Sequence, residues 1–544
     1  MISHHMMIKE NFFPVASDLP QTVKIPKING RILIDGQILN SGFPSRTVAS
    51  PCSLRSEKDG SLYYPELGAT PQVPEEIFMQ AVDAASRAWA RGRGEWPSAR
   101  MEDRINAISA LRDQILKQRE SISRLLMWEI AKTWTDAQAE FDRTITYMND
   151  TIEATKQLDR DCSRIQFVDQ IMAQVRRSPL GVTLCMGPFN YPFNETFTTL
   201  IPALILGNTV IVKLPRFGQL LWDFLLEPFR ECLPPGVINI VNGVGREMIN
   251  PAVKSGKIDV LAFIGSSQVA NQIKQSHPMP HRFRSILGLD AKNPAVILPD
   301  ADLDLSVNEC VRGTLSFNGQ RCTALKMILV HRSVSKSFIE KFAARVDQLT
   351  CGLPWDSGVM ITPLADRNKP QQLQAYMKEV IDRGGRLCNP TNGGKMLGSL
   401  FFPAVLSGVP LDARLAQEEQ FGPLVPIVEF DQISEVEDYV LNSQYGMQAS
   451  VFGREPKSVG HLVDFLSNQV CRINLNSQCQ RGPDVFPFTG RKNSAEGTLS
   501  VTDALRSFSI RSMVAARQDP VGKQVIQGVL DGDTSRFLTT NIVL

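Results

Sequence analysis

Thr209-Val-Ile-Val-Lys213 is a run of four β-branched residues closed by a cation. Branching at Cβ favours an extended chain, so the run reads as a buried strand with a lysine at its carboxyl end. Two further runs repeat the pattern, Val237-Ile-Asn-Ile-Val241 and Val260-Leu-Ala-Phe-Ile264. Each of the three ends in a Lys, Gly or Ser turn, and helix-like sequence follows. Strand, turn and helix in regular succession predict a parallel, doubly wound open sheet. A second alternation starts at Pro294-Ala-Val-Ile-Leu298. It continues through Met327-Ile-Leu-Val330, a helix over Ser333–Leu349 and Val425-Pro-Ile-Val428, which predicts a second α/β domain.

Outside these alternations the chain changes character. Residues 1–70 are rich in Pro, Gly and Ser, with β-prone pieces such as Arg31-Ile-Leu-Ile34, and read as a packed N-terminal extension. From about Pro74 to Leu158 the period is helical, with Ile108, Leu111, Ile115, Ile122 and Leu126 on one face. Asp161–Val175 and the tail from about Arg506 belong to neither sheet. They are expected to be β-arms that pair with another subunit, or surface loops over the last twenty residues or so.

The 544 residues allow two to four domain-sized units. Hydrophobic residues at 43% and charged ones at 21% are ordinary globular composition. The net charge of +2, from 58 basic and 56 acidic residues, contains no basic stripe, which argues against a nucleic-acid partner. Ten cysteines without paired short spacings and only six histidines argue against a zinc site, so no metal is expected. His277 and His281 are separated by prolines and read as surface residues. His4 and His5 sit near a ragged start and carry no inference. The longest apolar stretch, Leu200–Leu214, is interrupted by Gly207, Asn208 and Lys213 and is too short to cross a bilayer. With no apolar leader evident, the expectation is a reduced cytoplasmic protein without a membrane partner.

Two stretches carry chemistry. Cys322 lies in Phe317-Asn-Gly-Gln-Arg-Cys-Thr-Ala324, a polar, glycine-containing context unlike that of a core thiol. Arg321 beside it is a cation expected to lower the thiol pKa. Far upstream, Pro188-Phe-Asn-Tyr-Pro192 wedges Asn190 in a rigid turn, suited to donate an amide N–H to an oxyanion. Asn190 could equally stabilise only its own turn. Lys213 stands where open α/β sheets bind ligands, and Arg216 adds a second cation; both also fit a solvated loop. Gly265 and Ser266, in Phe263-Ile-Gly-Ser-Ser267, fit either a phosphate turn at a helix start or a plain helix cap. Gly243, in Gly243-Val-Gly245, lacks the third glycine of a dinucleotide fingerprint.

Together these motifs, in this order, resemble the aldehyde dehydrogenase superfamily from roughly residue 75 to residue 515. Pro188–Pro192 matches its oxyanion turn, Pro202–Lys213 its strand with the ribose-binding lysine, and Phe263–Ser267 its phosphate turn. Gly319–Cys322 matches Gly-Gln-x-Cys, and Glu419–Pro423 matches Glu-x-Phe-Gly-Pro. The resemblance implies Cys322 as nucleophile, Asn190 as oxyanion donor and Lys213 as ribose ligand. It further implies Glu419, with Phe421, at the nicotinamide end. An arginine at 216 would favour a 2′-phosphate, hence NADP, with NAD as the alternative.

Phe-Asn-Tyr-Pro around Tyr191, and Gln480-Arg-Gly-Pro-Asp-Val-Phe-Pro-Phe488, are similar to the branch that oxidises glyceraldehyde 3-phosphate without phosphorylation. There Arg481 and Arg321 would bind an anionic aldehyde, while ligands within 140–160 cannot be assigned. The implied organisation is two doubly wound open-sheet domains plus a β-arm for assembly into a homodimer or homotetramer. Residues 1–160 would be the N-terminal part of the cofactor domain and 161–175 the first arm. Residues 176–288 would be its Rossmann-like part, 289–488 the catalytic domain, and 489–544 a return segment and tail.

One departure stands out. The family's general base is the glutamate of Leu-Glu-Leu-Gly-Gly-Lys-Asn-Pro, and this chain reads Leu287-Gly-Leu-Asp-Ala-Lys-Asn-Pro294. Gly288 therefore replaces the carboxylate that activates water against the thioester. Three expectations follow: Asp290 or another carboxylate substitutes, coenzyme A takes the acyl group, or the chain keeps only a binding role. Arg216 and Ala270 also depart from the family's usual residues.

Overall fold

The computed structural model describes residues 12–40 and 42–543, so His4 and His5 lie outside the described residues. An eight-stranded sheet has the order Ala495–Glu496, Arg284–Gly288, Val260–Ile264, Val182–Met186, Thr209–Lys213, Ile238–Val241, Ile32–Ile34, Gln37–Leu39. The five strands from Arg284–Gly288 to Ile238–Val241 are parallel, with Leu184 opposite Ile211 on one side and Leu261 on the other. They are buried along nearly their whole length, which is why they read as continuous apolar runs. The chain steps outward from Val182–Met186 through Thr209–Lys213 to Ile238–Val241, then crosses back to Val260–Ile264 on the other side. That reversal puts the topological switch point at the carboxyl ends of Val182–Met186 and Val260–Ile264, where such sheets open a ligand crevice.

The N-terminal extension does more than pack. Ile32–Ile34, wholly buried, pairs antiparallel with Ile238–Val241 and lengthens this sheet. The helical region forms Glu75–Trp89, Met101–Leu116, Arg119–Ile130 and Trp134–Cys162, burying the expected Ile108, Leu111, Ile115, Ile122 and Leu126. His277 is not a surface residue. It is buried, stacked on Phe283 at 4.5 Å, with a ring nitrogen 3.1 Å from the Ile258 carbonyl.

The second sheet has seven strands in the order Arg386–Leu387, Ala404–Ser407, Leu424–Phe430, Leu325–His331, Asn293–Ile297, Gln448–Phe452, Arg472–Leu475. All pair in parallel except the short Arg386–Leu387 edge. The helix expected over Ser333–Leu349 is Arg332–Asp347.

A separate three-stranded antiparallel sheet joins Ser509–Arg517, Ile171–Pro179 and Ile165–Val168. The arm placed at 161–175 is therefore shifted: Asp161 and Cys162 finish the long helix, and the second strand runs to Pro179. The tail is not all β. Asp519 caps a helix over Pro520–Asp531 by accepting the Gly522 N–H, with proline at the first helical position. Phe167, Val168 and Met513 on this arm are each 64% exposed.

Candidate active site

The nucleophile loop is built by backbone strain and then locked. After the helix Leu303–Leu315, Phe317, Asn318 and Gly319 all take left-handed φ (48°, 57° and 69°). A Cβ at Gly319 would meet the carbonyl oxygens of Thr314 at 2.7 Å and Gly422 at 2.9 Å, so only glycine fits there. The Asn318 amide holds Thr362 through two hydrogen bonds, of 2.9 and 3.1 Å. Asn293 donates to the carbonyls of Cys322 (2.8 Å) and Ala324 (2.9 Å). The result presents a half-buried Cys322 to a cleft of about 500 Å³ at the mouth of the first sheet. Asn190, Lys213, Arg216, Gly265, Ser266, Gly288, Asp290, Glu419 and Phe421 line the same cleft.

The electrostatics differ from expectation. Burial pushes the Cys322 thiol up to about 11, and the Glu195 carboxylate pushes in the same direction. Lys326 and Arg481 are the cations that pull it down. Arg321 does not activate the thiol. Its guanidinium turns back to the last turn of the helix Leu303–Leu315 and donates to the carbonyls of Arg312 (3.3 Å), which Ser316 also engages, and Gly313 (2.9 Å). Sequence adjacency did not fix side-chain direction.

Asn190 is buried, and its amide donates to the Gln320 carbonyl at 2.8 Å, two residues before the nucleophile. One N–H thus anchors the oxyanion turn to the cysteine loop, and the amide's second N–H remains for an oxyanion.

On the cofactor side, burial, then the nearby Arg46 guanidinium, lowers the Lys213 ammonium to about 8. Arg46, which the sequence did not single out, donates to the Arg216 carbonyl at 2.9 Å, while Arg216 itself is exposed and stacks on Phe217. Ser266 caps the helix Ser267–Ser276 by accepting the Val269 N–H. Lysine and arginine at the switch point fit the ribose and phosphates of a dinucleotide. Gly243 is not part of the cleft lining; a Cβ there would strike Met248 and the Val73 carbonyl, so its place is in packing. Glu419 accepts from Lys326 and from the Ala291 N–H (3.2 Å). Phe421 sits edge-on to Phe189 at 5.8 Å.

Asp290, the first candidate for the missing carboxylate, is engaged at a helix start. Its Oδ2 accepts both the backbone N–H and the hydroxyl of Ser267, each at 2.7 Å, and so fills the anion position at that helix start. Gly288 lines the cleft with no side chain, and a Cβ there would sit closely against Leu499 at 3.3 Å and Ile264 at 3.5 Å.

The substrate-side residues gather around members the sequence left unassigned. Arg143, on the helix Trp134–Cys162, makes a two-pronged pair with Asp484 at 2.8 and 2.9 Å. Arg481, buried, donates to Asp484 (3.1 Å), to Glu195 and to the Leu499 carbonyl (3.2 Å). Burial raises the Tyr191 phenol, while the charges of Arg321 and Arg143 pull it the other way, so the three lie together. The Tyr191 ring also covers the Lys132 ammonium at 3.4 Å. Glu195 is the link: it grips Arg481 yet lines the cleft with Cys322. Arg143, Glu195 and Asp484 were hidden because each is an ordinary charge on a helix or loop until the fold joins them.

Among the described residues no cluster of His, Cys, Asp or Glu could hold a metal ion, and no helix is long and apolar enough to cross a membrane. Residues 64–514 match the model of the aldehyde dehydrogenase family. An NADP-dependent glyceraldehyde-3-phosphate dehydrogenase of Streptococcus equinus is 33% identical over 472 residues, covering 85% of this chain and 95% of that protein. Malonate-semialdehyde dehydrogenase 1 of Geobacillus kaustophilus is 26% identical, covering 83% and 92%. The crystal structure of an NADP-dependent glyceraldehyde-3-phosphate dehydrogenase from Bacillus halodurans, complexed with NADP, aligns with a TM-score of 0.81 and 30% identity, covering 90% of this chain and all of that one. With a cysteine, an amide and a cation-lined cleft on a doubly wound sheet, and a match spanning most of its length, this chain belongs to the aldehyde dehydrogenase family.

Proposed function

We propose that the protein oxidises a small anionic aldehyde, glyceraldehyde 3-phosphate foremost, with NADP. The observation that carries the reading is Cys322 in one cleft with Asn190 and the Lys213–Arg216 cations, with Arg481 bound to Glu195 in the wall of that cleft. Arginines suit a phosphate because their planar N–H forks match its oxygens. NADP, when bound, supplies the hydride acceptor.

Cys322 gives its proton to solvent in the cleft, and its sulfur bonds to the aldehyde carbon, giving a thiohemiacetal whose oxygen carries the negative charge. The second Asn190 N–H and the Cys322 backbone N–H stabilise the oxyanion. Loss of hydride leaves a thioester on Cys322. Lys213 and Arg216 hold the ribose and phosphate end of the cofactor, and Glu419 the nicotinamide ribose. The arm sheet, with its exposed Phe167, Val168 and Met513, serves assembly into a homo-oligomer.

Mixing the protein with glyceraldehyde 3-phosphate and NADP, without inorganic phosphate or coenzyme A, tests the reading. A burst of NADPH is expected, and its absence rejects this substrate. A second reading, transfer of the acyl group to coenzyme A, is favoured by Gly288 alone. It predicts a burst followed by turnover only when coenzyme A is added.

A further inference from the structure

The geometry points to Glu195 as the general base that releases the acyl group from Cys322, in place of the carboxylate missing at Gly288. This deepens the reading above, which forms a thioester on Cys322, by assigning its release to water. Glu195 is the second residue of the helix Asn194–Ile205, which starts directly after the oxyanion turn and is otherwise buried. Its side chain is 8% exposed, and what remains open faces the cleft that Cys322, Asn190 and Gly288 also line.

Four carboxylates line that cleft, and three have other commitments. Asp290 caps the Ser267 helix start, Glu419 takes Lys326 and the Ala291 N–H, and Asp366 accepts the Asn368 N–H. Glu195 gives Oε2 to Arg481, which fixes its direction, while Oε1 makes no hydrogen bond with the described residues. Among charged groups it also acts most strongly on the Cys322 sulfur. A carboxylate oxygen held this way can accept a proton from a water placed against the acyl carbon.

In the step, Glu195 Oε1 takes a proton from water as the water oxygen bonds to the thioester carbon. The tetrahedral species collapses, the C–S bond breaks with its electron pair returning to sulfur, and the acid departs. The proton on Glu195 then leaves through the cleft to solvent.

p-Nitrophenyl acetate tests this without dependence on the aldehyde, since it acetylates Cys322 with release of p-nitrophenolate. Glu195→Gln should keep the p-nitrophenolate burst, slow steady-state release about 100-fold or more, and accumulate acetyl-Cys322 seen by mass spectrometry of the intact chain. Glu195→Asp, which retains a charge for Arg481, should keep the burst and slow release less. Adding Gly288→Glu to Glu195→Gln should restore release. Unchanged release in Glu195→Gln overturns the inference. So does an equal loss of burst and release in both variants, which would make Glu195 only the partner of Arg481. Failure of wild-type protein with glyceraldehyde 3-phosphate and NADP, with the ester results standing, would reject the substrate and not the base.

Discussion

The loop that carries Cys322 and the strand end that carries Gly288 line one cleft, yet their chemistries have diverged. The cysteine loop is firmly held, by three left-handed residues, an Asn318 clamp and an Asn190 amide tied to Gln320, as the proposed acyl-enzyme requires. The Gly288–Ala291 stretch has lost the water-activating carboxylate and placed a different one, Asp290, on the helix start at Ser267. In the proposed reaction, attack and release are supported by separate parts of the fold. The carboxylate proposed for release, Glu195, comes from a third element.

The comparison breaks most sharply on the thiol itself. Burial and Glu195 hold Cys322 up to about 11, so its thiolate fraction rises about tenfold per pH unit below that value. Iodoacetamide labelling of Cys322 should accelerate from pH 7 to pH 10 without a plateau, about a thousandfold in total. A plateau near pH 8 would mean that a cation activates the thiol, as the sequence had suggested for Arg321.

Asn190→Ala comes next, because it removes the oxyanion donor and leaves the cysteine in place. The NADPH burst rate should fall about 100- to 1000-fold, an effect of roughly 3–4 kcal/mol. Stopped-flow fluorescence measures it, and a burst within threefold of wild type would assign the oxyanion to backbone N–H groups alone.

The smallest effect sharpens the other side. Asp290→Ala frees the Ser267 N–H and removes a negative charge from the helix start, so NADP should bind about 3- to 10-fold more tightly. Titration of intrinsic fluorescence at low salt reads the change. Unaltered affinity would show that the cofactor phosphates do not use this helix start.

Legibility followed the range of the interactions. The strands were legible because β-branched runs buried on both faces leave an unbroken apolar signature, as in Thr209–Val212 and Val260–Ile264. Lys213, Asn190 and Cys322 were legible because each sits in a local motif whose backbone constrains it. The direction of Arg321 was not, since it depends on which carbonyls the end of the helix Leu303–Leu315 presents to it. His277 was misread for a similar reason: prolines mark a break in the helix but do not say what the ring packs on, here Phe283. The arm boundary slipped because the helix Trp134–Cys162 gives way to strand across only two residues.

By itself the sequence determined the two α/β alternations and singled out Cys322, Asn190 and Gly288 as the positions to examine, because those are statements about residue type and local spacing. Only the tertiary structure decided that Asp290 is spent on Ser267 and that Arg143, Asp484, Arg481 and Glu195 form one chain of charges reaching the cysteine cleft. The reason is physical: a buried ion pair is a contact between elements distant in the chain, and its energy depends on separations that no local pattern encodes.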